Sequence, residues 1–167
     1  MSKQLAELFD YKNKLMEDLL TNESIVKLIA PGVSLEDAKS LAYNNVFPLE
    51  YVPETVEEAK TFVCFDVEVQ KSINKTFHVP TIYVWVYSHK SLLRLPEGGV
   101  RPDKLISEIA EVLDGSHFYG LGELDLSTVR RYYPTEGYQG KVMTFYTKEF
   151  SRTSANNKPI PSNRKLG

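Results

Sequence analysis

The stretch from Thr61 to Phe150 constrains this chain most, because its hydrophobic pattern changes period twice. TFVCFDVEVQ (61–70) and PTIYVWVYS (80–88) alternate at every second residue, the spacing of a strand with two unlike faces. RPDKLISEIAEVLDG (101–115) then repeats at i, i+3 and i+4, the spacing of a helix with one apolar stripe. GELDLSTVRRYY (122–133) and KVMTFYTKEF (141–150) return to alternation. The order is β-β-α-β-β, two hairpins wrapped around one helix, which predicts an α+β fold with an antiparallel sheet.

The flanking residues supply the other layer. Leu5, Leu8, Phe9, Lys12, Leu15, Met16 and Leu19 form one helical stripe in which Lys12 is the polar exception, with Ser2 in place to cap it. A second helix is expected over Glu23–Ile29, ended by Pro31-Gly32, and a third short one from Ser34 to about Ala42. Asn44–Lys60 is irregular and is expected to cross the edge of the core before the first strand. Pro102 and Gly115 bracket the central helix, and Gly137 and Gly140 suit the hairpin loop PTEGYQGK. SHKSLLRLPEGGV (88–100) reads as a long flexible excursion hinged at Gly98-Gly99.

A chain of 167 residues has the length of one domain, expected over residues 1–152, with 153–167 as an extended basic arm. No apolar run approaches the roughly 20 residues of a membrane span, and the first residues lack a signal-peptide core, so no membrane partner is expected. Cys64 is the one cysteine, which suits a buried small hydrophobe in a reducing compartment. The net charge of −2 is unevenly spread. Arg152, Lys158, Arg164 and Lys165 give residues 151–167 a charge of +4 with no acid, which leaves −6 on residues 1–150. With few apolar groups, that arm has no core of its own, and three readings stand open: a solvated loose end, an arm docked on an acidic neighbour of the same kind, or, on a weaker signal, an arm received by nucleic acid.

Enzyme chemistry finds little support. His78, His89 and His117 lack partners at the spacing of a zinc site or an activated nucleophile. Gly120-Leu121-Gly122 has Asp125 where a dinucleotide loop needs its third glycine, and Gly137–Lys141 is too short for a phosphate loop. Asp66 and Glu68 share a strand face that reads as solvated, and alternation puts Arg130 and Arg131 on opposite faces. No catalytic, cofactor-binding or metal-ligating residue is assigned, no cofactor is expected, and the chain is read as a non-enzyme.

The second strand pairs an aliphatic face (Ile82, Val84, Val86) with an aromatic one (Tyr83, Trp85, Tyr87). Two readings of the aromatic face stand open: a second packing layer under the first helix or the 44–60 segment, or a subunit interface, where aromatics are enriched. The expected interface set is Tyr83, Trp85, Tyr87, Arg94 in the 88–100 loop, Tyr138 in the hairpin, and Arg152, Lys158, Arg164 and Lys165 in the arm.

The succession LMEDLLTNESIVKLI, NVFPLEYVP, TFVCFDVEV, IYVWVYSHK, DKLISEIAEVLDG and GKVMTFYTKEFSR resembles the tail-completion or tail-terminator proteins of long-tailed bacteriophages over roughly Leu5 to Arg152. That resemblance implies a virion protein forming a ring, six-fold in the family, at the head-proximal end of the tail. Its partners would be copies of itself, the tail tube protein and the head connector or neck proteins. DNA would pass through the lumen without specific binding, and the protein would be found in the host cytoplasm during assembly and in the virion neck afterwards. The basic extension past Arg152 and the short helix near Ser34–Ala42 are additions to the family pattern. A small accessory protein-binding domain is the alternative function.

Overall fold

The computed structural model describes residues 3–54, 59–71, 78–117, 119 and 123–147. The arm 153–167 and the expected interface residues Arg152, Lys158, Arg164 and Lys165 lie outside these, as do Ser2 and Gly120–Gly122. The elements run α1 (Lys3–Leu20), α2 (Glu23–Ile29), a 3-10 turn (Ala38–Leu41), β1 (Val46–Phe47), β2 (Thr61–Lys71), β3 (His78–His89), α3 (Arg101–Leu113), β4 (Leu124–Tyr132) and β5 (Tyr138–Thr147). The chain is therefore α+β, with the β-β-α-β-β order intact.

The strands make one five-stranded sheet in the order β1-β2-β3-β5-β4, antiparallel except where β1 joins β2. The two hairpins do not wrap around α3; they lie side by side, joined through β3 and β5. The reason is the aliphatic alternation itself. Joining Ile82, Val84 and Val86 to Phe145 and Met143 makes one apolar surface wide enough to carry three helices. Burying a side chain of this size contributes roughly 1.5–3 kcal/mol, so a shared surface is favoured over two narrow ones.

Each helix gives its buried stripe to that surface: Leu15 and Leu19 from α1, Ile25, Val26 and Ile29 from α2, and Leu105, Ile109 and Leu113 from α3. In α1 the stripe is narrower than the sequence implies, because Phe9 is 71% exposed. One residue is about 100° of helix, so Phe9 lies well round from Leu8, while Tyr11 packs against the core instead. The α2 N-cap is Asn22, whose side chain accepts from the Ile25 amide at 3.1 Å. Pro102 opens α3, and Gly115, at φ 80°, follows its end.

The helix expected over Ser34–Ala42 is only a 3-10 turn. Ser34 and Asp37 bond one another in a small capping pair, but the chain turns away at Tyr43, whose φ is 58° and whose amide donates to the Val46 carbonyl. That reversal aligns Val46-Phe47 in parallel with Val63-Cys64 and adds the fifth strand.

Lys12 crosses the edge of the sheet. Its ammonium donates to the Pro48 carbonyl at 2.9 Å and pairs with Asp66 at 2.6 Å, while Asp66 also accepts from the Val67 amide. Asp66 thus closes the part of β2 that β1 does not reach, a charged guard on an open strand edge. Gly137 adopts a positive φ of 81°, but Gly140 serves a different purpose from the turn expected of it. A Cβ there would lie 1.8 Å from the Val86 carbonyl oxygen, so β5 approaches β3 more closely than any side chain permits.

Candidate interaction surface

The sheet face turned away from the helices carries the notable side chains. Strand register arranges it in rows: Phe62–Tyr87–Gly140–Tyr132, then Cys64–Trp85–Val142–Arg130, then Asp66–Tyr83–Thr144–Thr128, then Glu68–Thr81–Tyr146–Asp125. A β-bulge between Leu126 and Thr128 shifts the alternation of β4, so Leu124 and Leu126 share the inner face with Val129. Arg130 and Arg131 fall on opposite faces, both exposed.

The first row is internal. Phe62, Cys64, Tyr87 and Tyr138 form a second buried cluster, roofed by Phe47 and Tyr51. Phe47 and Tyr51 stack at 4.0 Å, and Phe62 stacks on Tyr87 at 5.2 Å. The Tyr87 hydroxyl donates to the Tyr51 carbonyl and lies 3.7 Å from the Cys64 sulfur. Burial pushes the Cys64 thiol up to about 11 and raises the Tyr87 phenol further. Cys64 is therefore held as a neutral thiol. Tyr132 closes the side of the cluster, its hydroxyl donating to Glu50 at 2.7 Å and its ionisation disfavoured by burial and by that carboxylate.

Of the expected interface residues, Tyr87 and Tyr138 are thus packed inside this chain. Tyr83 and Trp85 differ: they are half-exposed and stack on one another at 5.8 Å with their planes 19° apart. Tyr146, at 39% exposure, extends the apolar ground on β5. Tyr83 also hydrogen-bonds Glu68, so the strand-end carboxylates engage neighbours and do not form a bare acidic pair. Beside Tyr83 and paired with Tyr146, Thr81 is 1% exposed, and its hydroxyl is the buried side-chain polar atom without a partner among the described residues.

Arg94 is exposed on the 88–100 segment. That segment is more constrained than its glycines imply: Leu95 is buried, Gly98 and Gly99 form a hydrogen-bonded turn, and Arg94 bridges to Val100. Arg101 pins it. This guanidinium, only 8% exposed, donates to the Leu92 and Leu28 carbonyls at 2.8 Å each and ties the loop to the end of α2. Nothing in the sequence marks Arg101 as buried, since an arginine at a helix start ordinarily reads as solvated.

Among the described residues no group of three or more His, Cys, Asp or Glu side chains could hold a metal ion. His89 bonds Ser91 and packs edge-on against Tyr138, and His117 is exposed. An open groove of about 550 Å³ lies at the β4–β5 turn, lined by Lys90, Tyr133, Glu136 and Gln139 among others. No described helix is long and apolar enough to cross a membrane.

The fold thus presents a packed core, a half-open aromatic sheet face and a pinned loop, and residues 2–147 match the YomW family. This chain belongs to the YomW family. YomW is a phage-type protein, so the bacteriophage association implied by the sequence stands at that level. Among curated proteins none gives a significant match.

Proposed function

We propose that this chain is a non-enzymatic structural protein of a tailed bacteriophage, forming a ring in the neck at the head-proximal end of the tail and joining the tail to the head connector. The observation that carries the reading is membership of a phage-type family over residues 2–147. The half-exposed Tyr83–Trp85 stack supports it, because a face that is aromatic but incompletely packed suits contact with a neighbouring subunit. So does the −6 carried by residues 1–150, since like charge lets DNA slide past a channel wall without tight phosphate contacts. Head-to-tail rings need two different complementary surfaces on each subunit, and an acidic body with a basic arm offers such a pair.

The test is stoichiometry in place. Electron microscopy of the virion neck, with mass measurement of the protein alone and with tail tubes, should give a closed ring of several copies. One copy per particle, or a one-to-one complex with another protein, overturns the ring in favour of an accessory binding domain.

A further inference from the structure

Each edge of the sheet is closed over part of its length. On β2, Val46-Phe47 pair with Val63-Cys64, and the Asp66 carboxylate takes the Val67 amide. On β4, Gly115 and Ser116 bond Leu124, and the Asp114 carboxylate takes the Leu126 amide at 3.0 Å. Those bonds show that the Leu124 and Leu126 amides point away from β5. The bulge adds one residue to β4 and none to β5, so Val129 and Arg131, opposite Met143 and Lys141, point the same way. Their amides and carbonyls leave this stretch of the edge open, since no strand or turn among the described residues takes them. The side chains around it are exposed: Val129 at 45%, Tyr133 at 63%, and Arg130 and Arg131 on opposite faces. Lys141 stands beside Arg131 on β5. None of these three cations is in an ion pair among the described residues.

We propose that the Val129–Arg131 edge of β4 accepts an extended acidic segment of a partner protein as an additional antiparallel strand. Backbone groups supply the attachment: the Val129 and Arg131 amides donate and their carbonyls accept, the pattern by which a strand is added to a sheet. Charge supplies the choice. Adjacent acidic residues on the incoming strand fall opposite Arg131 on one face and Arg130 on the other, and an apolar residue next along falls on the exposed Val129. The segment therefore reads acid-acid-apolar from its N-terminus. A second copy of β4 is a poor occupant, because pairing about this stretch sets Arg130 opposite its own counterpart, and like charges directly opposite are destabilising. The basic stretch 153–167 of this chain is unsuited for the same reason. Charged side chains commonly protect an edge against self-association. Here they do so without covering the backbone, unlike Asp66 and Asp114, whose carboxylates occupy the amides themselves. The inference concerns one strand edge and does not depend on the neck-ring reading.

The probe is a blocked synthetic peptide, Thr-Val-Thr-Glu-Glu-Val-Thr-Val-Thr, titrated into the isotope-labelled full chain and followed by NMR, with Lys-Lys in place of Glu-Glu as the control. The Glu-Glu peptide should shift the Val129 and Arg131 amides saturably and slow their exchange with solvent, and the Lys-Lys peptide should not. The double variant R130E/R131E alters exposed side chains and should keep the fold by far-UV circular dichroism. It should reverse the preference, weakening the Glu-Glu peptide by roughly five- to tenfold, the range for losing two exposed cross-strand charge pairs. Added salt should narrow the gap between the two peptides. Equal affinity of the two peptides for the wild-type chain overturns the proposal. Shifts confined to the Tyr83–Trp85 face or to the groove at the β4–β5 turn overturn it by placing the peptide elsewhere. Val129 and Arg131 amides already protected in the free monomer overturn it by giving the edge to this chain, and protection that grows with protein concentration does so by giving it to a second copy.

Discussion

The two faces of this sheet have the same strands and the same alternation, yet they behave differently. On the inner face, Val63, Phe65, Ile82, Val84, Met143 and Phe145 lie under three helices and are essentially inaccessible. On the outer face, Tyr87 is fully buried while Tyr83, four residues away on the same strand, remains half-exposed. Aliphatic side chains have no polar group to satisfy and gain by complete burial. Tyr and Trp have an apolar body and a polar tip, so a face made of them can be packed at one end and left for contact at the other.

The largest expected effect comes from breaking the inner face. Phe65→Ala should destabilise the chain by about 3–5 kcal/mol, the usual range for a buried Phe truncation, read as a lowered urea midpoint. A loss below 1 kcal/mol would mean that the inner face is not the main core. Gly140→Ala tests the junction between the hairpins. Its Cβ has no space beside the Val86 carbonyl, so β3 and β5 must separate, at a cost of about 1–3 kcal/mol. Hydrogen exchange of the β3 and β5 amides should accelerate in that variant, and unchanged protection would argue against the close approach.

The packed end of the outer face is probed by Tyr87→Phe. This removes the donor to the Tyr51 carbonyl and should cost about 1–3 kcal/mol, while Tyr83→Phe, on the half-open end, should be near neutral in the isolated chain. Equal effects would erase the distinction between the two ends. Alkaline pH tests the same end. Burial raises the Cys64 thiol to about 11 from 9.0, so the folded chain keeps a proton that the unfolded chain loses first. Stability from this group is complete below pH 9 and falls as pH rises towards 11. The raised Tyr87 and Tyr132 phenols act in the same direction at higher pH. Equilibrium unfolding between pH 8 and 11 measures it, with Cys64→Ala expected to flatten the lower part of the curve.

Trp85→Ala should cost about 1–3 kcal/mol, because the partly buried ring packs against the Phe62–Tyr87 cluster, and should lower incorporation into phage particles beyond what that loss of stability explains. A variant that assembles as the wild type would remove the half-open face from the assembly reading.

Much of this organisation is legible in the chain. The 3.6-residue period of α2 and α3 and the Pro and Gly around α3 mark those helices well, and the period-2 runs mark the four long strands. β1 was not legible, because two residues carry no period and Val46-Phe47 become a strand only when the turn at Tyr43 lays them beside β2. The same limit applies to Gly140 and Arg101. One is needed for a close strand approach, the other for two carbonyls more than 60 residues apart in sequence, and neither requirement leaves a local trace.

The sequence by itself determined that this is an α+β chain with an aliphatic and an aromatic sheet face, since side-chain alternation is a property of each strand alone. Tertiary structure alone decided that the hairpins join edge to edge, that residues 47–51 roof Tyr87 and Tyr138, and that Tyr83 and Trp85 stay half-open. Burial depends on which other segment arrives over a face, and that arrival is set by turns, edges and close approaches between residues distant in sequence.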